Sequence, residues 1–228
     1  MTTIFIKTYL NDLKWLQYCL ASIAKYAPSF EVVIVADTNC KKIIDGWGLT
    51  REKVYYVKPQ YEGYLYQQEI KLRAFEWVDT EYILYVDCDC IFTEEANEQS
   101  FLHDGCPILL KTPYEDIPEV MFWKDATEDA IGFEVNFEYM RRNGLCYRTE
   151  TIKHLWEDYS IRFLPKIKIA KDRRFSEFNL IGAYIEAYEK DFYKIINTRD
   201  DIPKHPIKQF WSYSGLNKED LKEINKYL

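Results

Sequence analysis

At 228 residues the chain is long enough to bury a sizeable core in one domain, and its 47% hydrophobic content lies far from the profile of a disordered segment. A formal net charge of −7 excludes a protein whose main business is wrapping a polyanion, since that needs broad basic surfaces. Aromatic residues make up 17% of the chain, including 19 Tyr and 6 Trp, rings that fill cores and also stack on bases and sugars.

Thr3 to Ile6 reads as a first strand, followed by Lys7-Thr8-Tyr9. Leu13, Leu16, Leu20 and Ile23 then recur at helical spacing until Pro28. Glu31 to Ala36 is a second strand, apolar enough to be covered on both sides, and it stops at Asp37. Cys40 to Ile44 suggests a short helix, Val54 to Val57 a third strand and Leu65 to Trp77 another helix. Tyr82 to Val86 is the fourth strand, and it delivers Asp87. This alternation predicts an α/β fold with a mixed, mostly parallel central sheet flanked by helices. Further on, Pro107 to Leu110 reads as a strand, Asn136 to Arg142 and Thr151 to Tyr159 as helices separated by the Asn143-Gly144 turn. Ser176 is placed to cap a helix running from Glu177 to about Lys190, with Asn179 at its third position. Phe192 to Ile196 resembles a strand, and Asn217 with Asp220 has the spacing of a capping box before a last helix. No linker or repeat interrupts the chain, which predicts a single domain over 1–228, with residues 1–100 as one lobe and 101–228 as a second.

No apolar run reaches the ~20 residues that a membrane span needs. With no signal-peptide pattern, the six cysteines are expected to be reduced and mostly buried, as in a cytoplasmic protein.

In parallel sheets ligands gather beyond the carboxyl ends of the strands. Thr8, Asp37, Asp87 and Asp89 all fall there. In extended backbone Asp87 and Asp89 would share one face across Cys88. Two carboxylates at a buried strand end are costly unless solvated or compensated, and a hard divalent cation, Mn²⁺ or Mg²⁺, compensates both through oxygen ligands. Asp-x-Asp by itself is a weak motif; its position after Tyr-Ile-Leu-Tyr-Val in the fourth strand makes it more specific.

The segments Ile4 to Thr8, Val33 to Asp37 and Tyr85 to Asp89, and more loosely Ser176 to Asn179 with His205, resemble a glycosyltransferase of the GT-A fold, in particular the small bacterial and phage members. The resemblance runs from residue 4 to about 213. It implies a hexosyltransferase-type enzyme that takes a nucleotide-diphosphate sugar, a UDP-sugar above others, as donor. It implies a nucleotide pocket lined by Thr8, Tyr9 and Asp37. Asp87 is then expected at the ribose or a metal-bound water, Asp89 on the metal, and His205 as a further metal ligand. A glycan or lipid-linked sugar is the first acceptor, and a hydroxymethylated pyrimidine in phage DNA the alternative, which would place the protein in a host cytoplasm. A nucleotidyltransferase, or a binding protein without catalysis, stands as another class; the former usually carries a Gly- and Lys/Arg-rich loop where this chain has Lys7 to Asp12.

Among the remaining candidates, Glu177 opens its helix, where a carboxylate serves as cap, base or nucleophile. Asp125, Asp129 and Glu134 form a second acidic group that is either catalytic or a solvated run. Gln67 and Lys71, four apart, share a helix face, and with Gln68 they are candidates to meet a phosphate. Trp211 lies in an aromatic cluster that runs from Phe210 to Tyr213. His103 and His154 read as surface or packing residues. Arg162, Lys166, Lys168, Lys171, Arg173 and Arg174, with the weaker Arg141-Arg142 pair, form either a solubilising run or a phosphate track.

Overall fold

The apolar runs form parallel strands with helices between them, as their patterning requires. The computed structural model describes residues 1–141, 143–169, 174–212 and 215–228. Strands β1 (Thr2–Thr8), β2 (Glu31–Asp37), β3 (Glu52–Val57) and β4 (Tyr82–Tyr85) alternate with helices α1 (Leu13–Tyr26), α2 (Lys41–Asp45) and α3 (Gly63–Leu72). Together with β9 (Leu145–Arg148) they make a five-stranded sheet of order β3-β2-β1-β4-β9. The four N-terminal strands are parallel, and only β9 runs the other way, Leu145 pairing with Tyr85. Their carboxyl ends therefore share one edge of the sheet, and the antiparallel β9 begins beside it.

Alternate residues of the strands feed two cores. Phe5, Val33, Val35, Ile83, Tyr85 and Tyr147 face one side, where they join Ile70 and Leu72 of α3, Ile152, Leu155 and Phe163 of α5 (Thr149–Ile169), and Leu180 and Ile181 of α6 (Glu177–Tyr184). Ile4, Ile6, Val32, Ile34, Ala36 and Leu84 face the other, against Leu16, Cys19, Leu20 and Ile23 of α1 and Ile224 of α7 (Lys218–Ile224). Such two-sided burial is what lets a parallel sheet be apolar on both faces.

A second sheet carries β10 (Lys194–Asn197) parallel to β7 (Cys106–Pro113), with β6 (Leu102–His103) and β8 (Phe137–Glu138) antiparallel to β7. A short ribbon pairs β5 (Cys90–Phe92) with β11 (Ile207–Gln209). Helix α4 (Met121–Ile131) completes the elements.

Several expectations are corrected. The segment from Asn136 forms strand rather than helix: Thr112 pairs with Glu138 and Pro113 with Phe137, while the Asn136 carbonyl accepts from Tyr114 N at 3.2 Å. Pairing with β7 overrides local propensity there; Arg142 lies outside the described residues. The helix expected to reach Trp77 stops at Leu72 and gives way to a 3₁₀ turn, Ala74–Glu76. Helix α5 runs ten residues past Tyr159, through Pro165. Pro165 and Ile161, whose carbonyl loses its helical partner, are both exposed, so water can take that bond. Helix α6 ends at Tyr184 and continues as a π-helical turn, Ile185–Glu189. Both expected caps form, Ser176 Oγ accepting from Asn179 N at 3.2 Å and Asn217 Oδ1 accepting from Asp220 N at 2.9 Å. All six cysteines are free thiols, five of them buried. Among the described residues no helix is long and apolar enough to cross a membrane.

Candidate functional site

Asp87, Cys88 and Asp89 are not extended but form a tight turn, closed by Cys90 N donating to the Asp87 carbonyl at 3.0 Å. The turn ends β4 and leads straight into β5. Both carboxylates nevertheless reach the same cavity, of about 280 Å³, beyond the carboxyl ends of the parallel strands. Lys7, Tyr9, Asp12, Gln68, Lys71, Glu177, Trp123 and Trp211 also line it.

On one side of the cavity a single ammonium joins two carboxylates. Lys71 Nζ lies 2.7 Å from Asp87 Oδ1 and 2.9 Å from Glu177 Oε1, with Lys71 and Glu177 almost wholly buried and Asp87 a quarter exposed. Burial alone would depress the Lys71 ammonium, but Asp87 and Glu177 outweigh it and hold it well above its ordinary range. The same ammonium sits 4.6 Å over the Phe178 ring. Burial pushes Glu177 up, and Lys71 only partly offsets it. Gln68 fixes the entry to α6, its Oε1 accepting from Glu177 N at 3.0 Å.

On the other side, the C-terminal segment grips Asp89. Ser212 N donates to Asp89 Oδ2 at 2.6 Å, Gln209 Nε2 to Oδ1 at 3.4 Å, and Phe210 N to the Asp89 carbonyl at 2.9 Å. Between them Trp211 takes a left-handed backbone, φ 61°, and remains 58% exposed at the cavity mouth. Burial and then Asp87 raise Asp89 above the usual carboxylate range. Asp12, in the 3₁₀ turn after β1, is pushed up to about 6 by burial first and then by Asp89 and Asp87. Three carboxylates thus feel one another across the cavity.

Gln67 lines the cavity as well, whereas other expected residues lie elsewhere. Thr8 is wholly buried and does not line the cavity, nor does Asp37, which accepts from Lys7 Nζ at 2.6 Å. Lys7 stands between Asp37 and the cavity in their place. His205 is not a lining residue either: its Nε2 meets the Asn143 carbonyl and its ring meets Phe101 edge-on at 5.6 Å. Gly144 permits that packing, since a Cβ there would come within 2.5 Å of Ile207. Asp125 and Asp129 lie on the exposed face of α4, beside Arg162 in a separate groove, and Asp129 pairs with Lys166 at 3.2 Å. Lys171, Asp172, Arg173 and Tyr213 lie outside the described residues, and with them the middle of the basic run.

Asp12 and Lys7 are the charged lining residues that sequence reasoning missed as site groups. Lys7 is hidden inside an apolar strand, and Asp12 looks like a helix cap. Trp123 was missed because α4 itself was not expected.

Among the described residues no three His, Cys, Asp or Glu side chains gather into a protein cage for a metal. Magnesium-like ions are instead usually held by one or two carboxylates together with substrate phosphates. Asp87 and Asp89, hard oxygen donors that line the same cavity, fit that mode. No protein-family model matches the chain, and no curated protein matches it.

Proposed function

We propose that the protein is a metal-dependent glycosyltransferase of the GT-A type, moving a sugar from a nucleotide-diphosphate sugar, a UDP-sugar above others, to a hydroxyl of a glycan or lipid-linked acceptor. The observation that carries this reading is the Asp87–Asp89 turn at the carboxyl end of the sheet, lining one cavity together with the buried Lys71–Glu177 pair, to which Asp87 is joined. At about 280 Å³ the cavity falls just short of the roughly 300–1,000 Å³ of drug-sized ligand sites, so it suits the diphosphate and sugar while the nucleoside extends over the open rim toward Tyr9 and Trp211.

Asp87 and Asp89 would hold Mn²⁺ or Mg²⁺, which supplies charge neutralisation for the departing diphosphate. The lining supports that need: four carboxylates (Asp12, Asp87, Asp89, Glu177) face it against two ammoniums (Lys7, Lys71), so a diphosphate alone would meet net repulsion. Lys71 orients Asp87 and Glu177. Glu177, whose proton affinity burial raises, takes the proton of the acceptor hydroxyl as its oxygen bonds the anomeric carbon and the bond to the diphosphate breaks.

The test is release of nucleotide diphosphate from a panel of nucleotide sugars with Mn²⁺. Wild type is expected to hydrolyse at least one, and Asp89→Asn to lose at least about 100-fold while staying folded, the scale seen when a principal electrostatic group is removed. Equal activity in Asp89→Asn would refute the assignment.

A further inference from the structure

A second hollow, of about 220 Å³, opens at the far end of the α4–α6 pair. It is lined by the rings of Phe133, Phe137 and Tyr139, by Ala183 and Ala187, and by Glu134, Asn136 and Glu186. The space exists because of three local choices. Ala183 and Ala187, four apart, carry no bulk. Gly182 lets the Tyr139 ring lie directly on α6, where a Cβ would come within 2.1 Å of it. The π-helical turn begins at Ile185, and such turns recur at functional sites.

The lining is held firmly. Tyr139 Oη donates to Glu186 Oε2 at 2.6 Å and Lys111 Nζ meets Oε1 at 2.5 Å, fixing the carboxylate and leaving it lone pairs to spare. Lys111 also sits 4.1 Å over the Phe137 ring. Tyr188 packs edge-on against Phe133 at 6.2 Å.

We propose that this hollow is a subsite for one neutral pyranose ring of the acceptor saccharide. At about 220 Å³ it is smaller than the first cavity and offers room for a single ring. Aromatic lining suits the apolar C–H face of a sugar. A fixed carboxylate and an amide suit its hydroxyls, and the acidic lining residues disfavour anionic rings.

The placement matches a chain-like acceptor. Met140 lines the first cavity and its neighbour Tyr139 the second. Along α6 and its continuation, Glu177 and Glu186 are nine residues apart, about 13 Å at helical rise. A saccharide whose reacting end enters the first cavity would reach the second with a ring further along. The identification of this ring as part of an acceptor rests on the glycosyltransferase reading; the ring-binding property does not.

The experiment is saturation-transfer NMR with methyl glycosides of glucose, galactose and N-acetylglucosamine, without metal or nucleotide. At least one should receive saturation from wild type and equally from Asp89→Asn, lose it in Ala187→Trp, and lose most of it in Phe133→Ala. Ala187 is exposed, so its variant fills the hollow without disturbing the core. No transfer to any of the three, or transfer that survives Ala187→Trp, overturns the subsite. Manganese-dependent donor hydrolysis, measured in parallel, separates the two readings. It should be unchanged in Ala187→Trp, and its absence from wild type alongside intact sugar binding would refute the catalytic reading and leave a saccharide-binding site.

Discussion

At the residue scale the decisive group is Lys71, one cation shared by two carboxylates in a nearly dry setting. Removing one partner of a buried pair strands a charge, which costs about 3–5 kcal/mol, whereas replacing the whole pair can be close to neutral. Lys71→Met is therefore expected to lose about 3–5 kcal/mol in urea unfolding, and Lys71→Met/Glu177→Leu to recover part of it. A double-mutant coupling of about 1–3 kcal/mol would be normal for such contact, and strict additivity would show that the pair is not coupled. Asp12 makes a separate prediction. Its folded pKa, about 6, is above the ordinary 3.8, so its ionisation opposes folding. That penalty is fully present above pH 6 and fades as pH falls toward 4. Discounted for partial exposure, it is worth about 1–2 kcal/mol. Wild type should gain stability between pH 7 and 5, and Asp12→Asn should gain less; parallel curves would mean that Asp12 is not raised.

At the element scale, the segment through β11 to Ser212 closes the site, and it does so with a tryptophan in left-handed backbone. For a residue with a Cβ that conformation costs roughly 1–2 kcal/mol, and such costs persist where the surroundings over-determine them. Trp211→Gly should therefore hold or raise the melting temperature while weakening nucleotide-sugar binding several-fold. A clear drop in melting temperature with binding intact would make Trp211 a structural residue. How much of this was legible in the sequence follows from the same distinction between local and tertiary causes. Strands β1, β2 and β4 are continuous apolar runs and the caps at Ser176 and Asn217 are local side-chain chemistry, so both could be read directly. Strands β5, β9 and β11 are three or four residues long and exist through their partners, and the π-helical turn after α6 has no local signature. Within the site, Asp87, Asp89, Lys71, Glu177, Gln68, Tyr9 and Trp211 could be named from position. The displacement of Asp37 by Lys7, and of His205 toward Asn143, depends on side-chain packing that no spacing encodes.

At the scale of the whole molecule, a parallel sheet points its strand ends at one edge, and this chain gathers its acids there. Four carboxylates and two ammoniums line the cavity, and Lys7 is already committed to Asp37. Two unit charges 4 Å apart interact by about 4 kcal/mol at the effective dielectric of a protein surface, so an unmatched pair of negative charges is enough to repel an incoming diphosphate. Binding of nucleotide and of divalent cation should then be mutually dependent, each strengthening the other by the same factor. Titration of UDP by calorimetry is expected to give no measurable binding in chelator and clear binding with Mn²⁺. The Mn²⁺ affinity should rise by the same factor when UDP is present. In Asp87→Asn, with one charge fewer, metal-free binding should improve while the gain from Mn²⁺ shrinks. Tight UDP binding in chelator by wild type would show that the acidic edge is not built around a cation, and with it the metal assignment of Asp87 and Asp89 would fall.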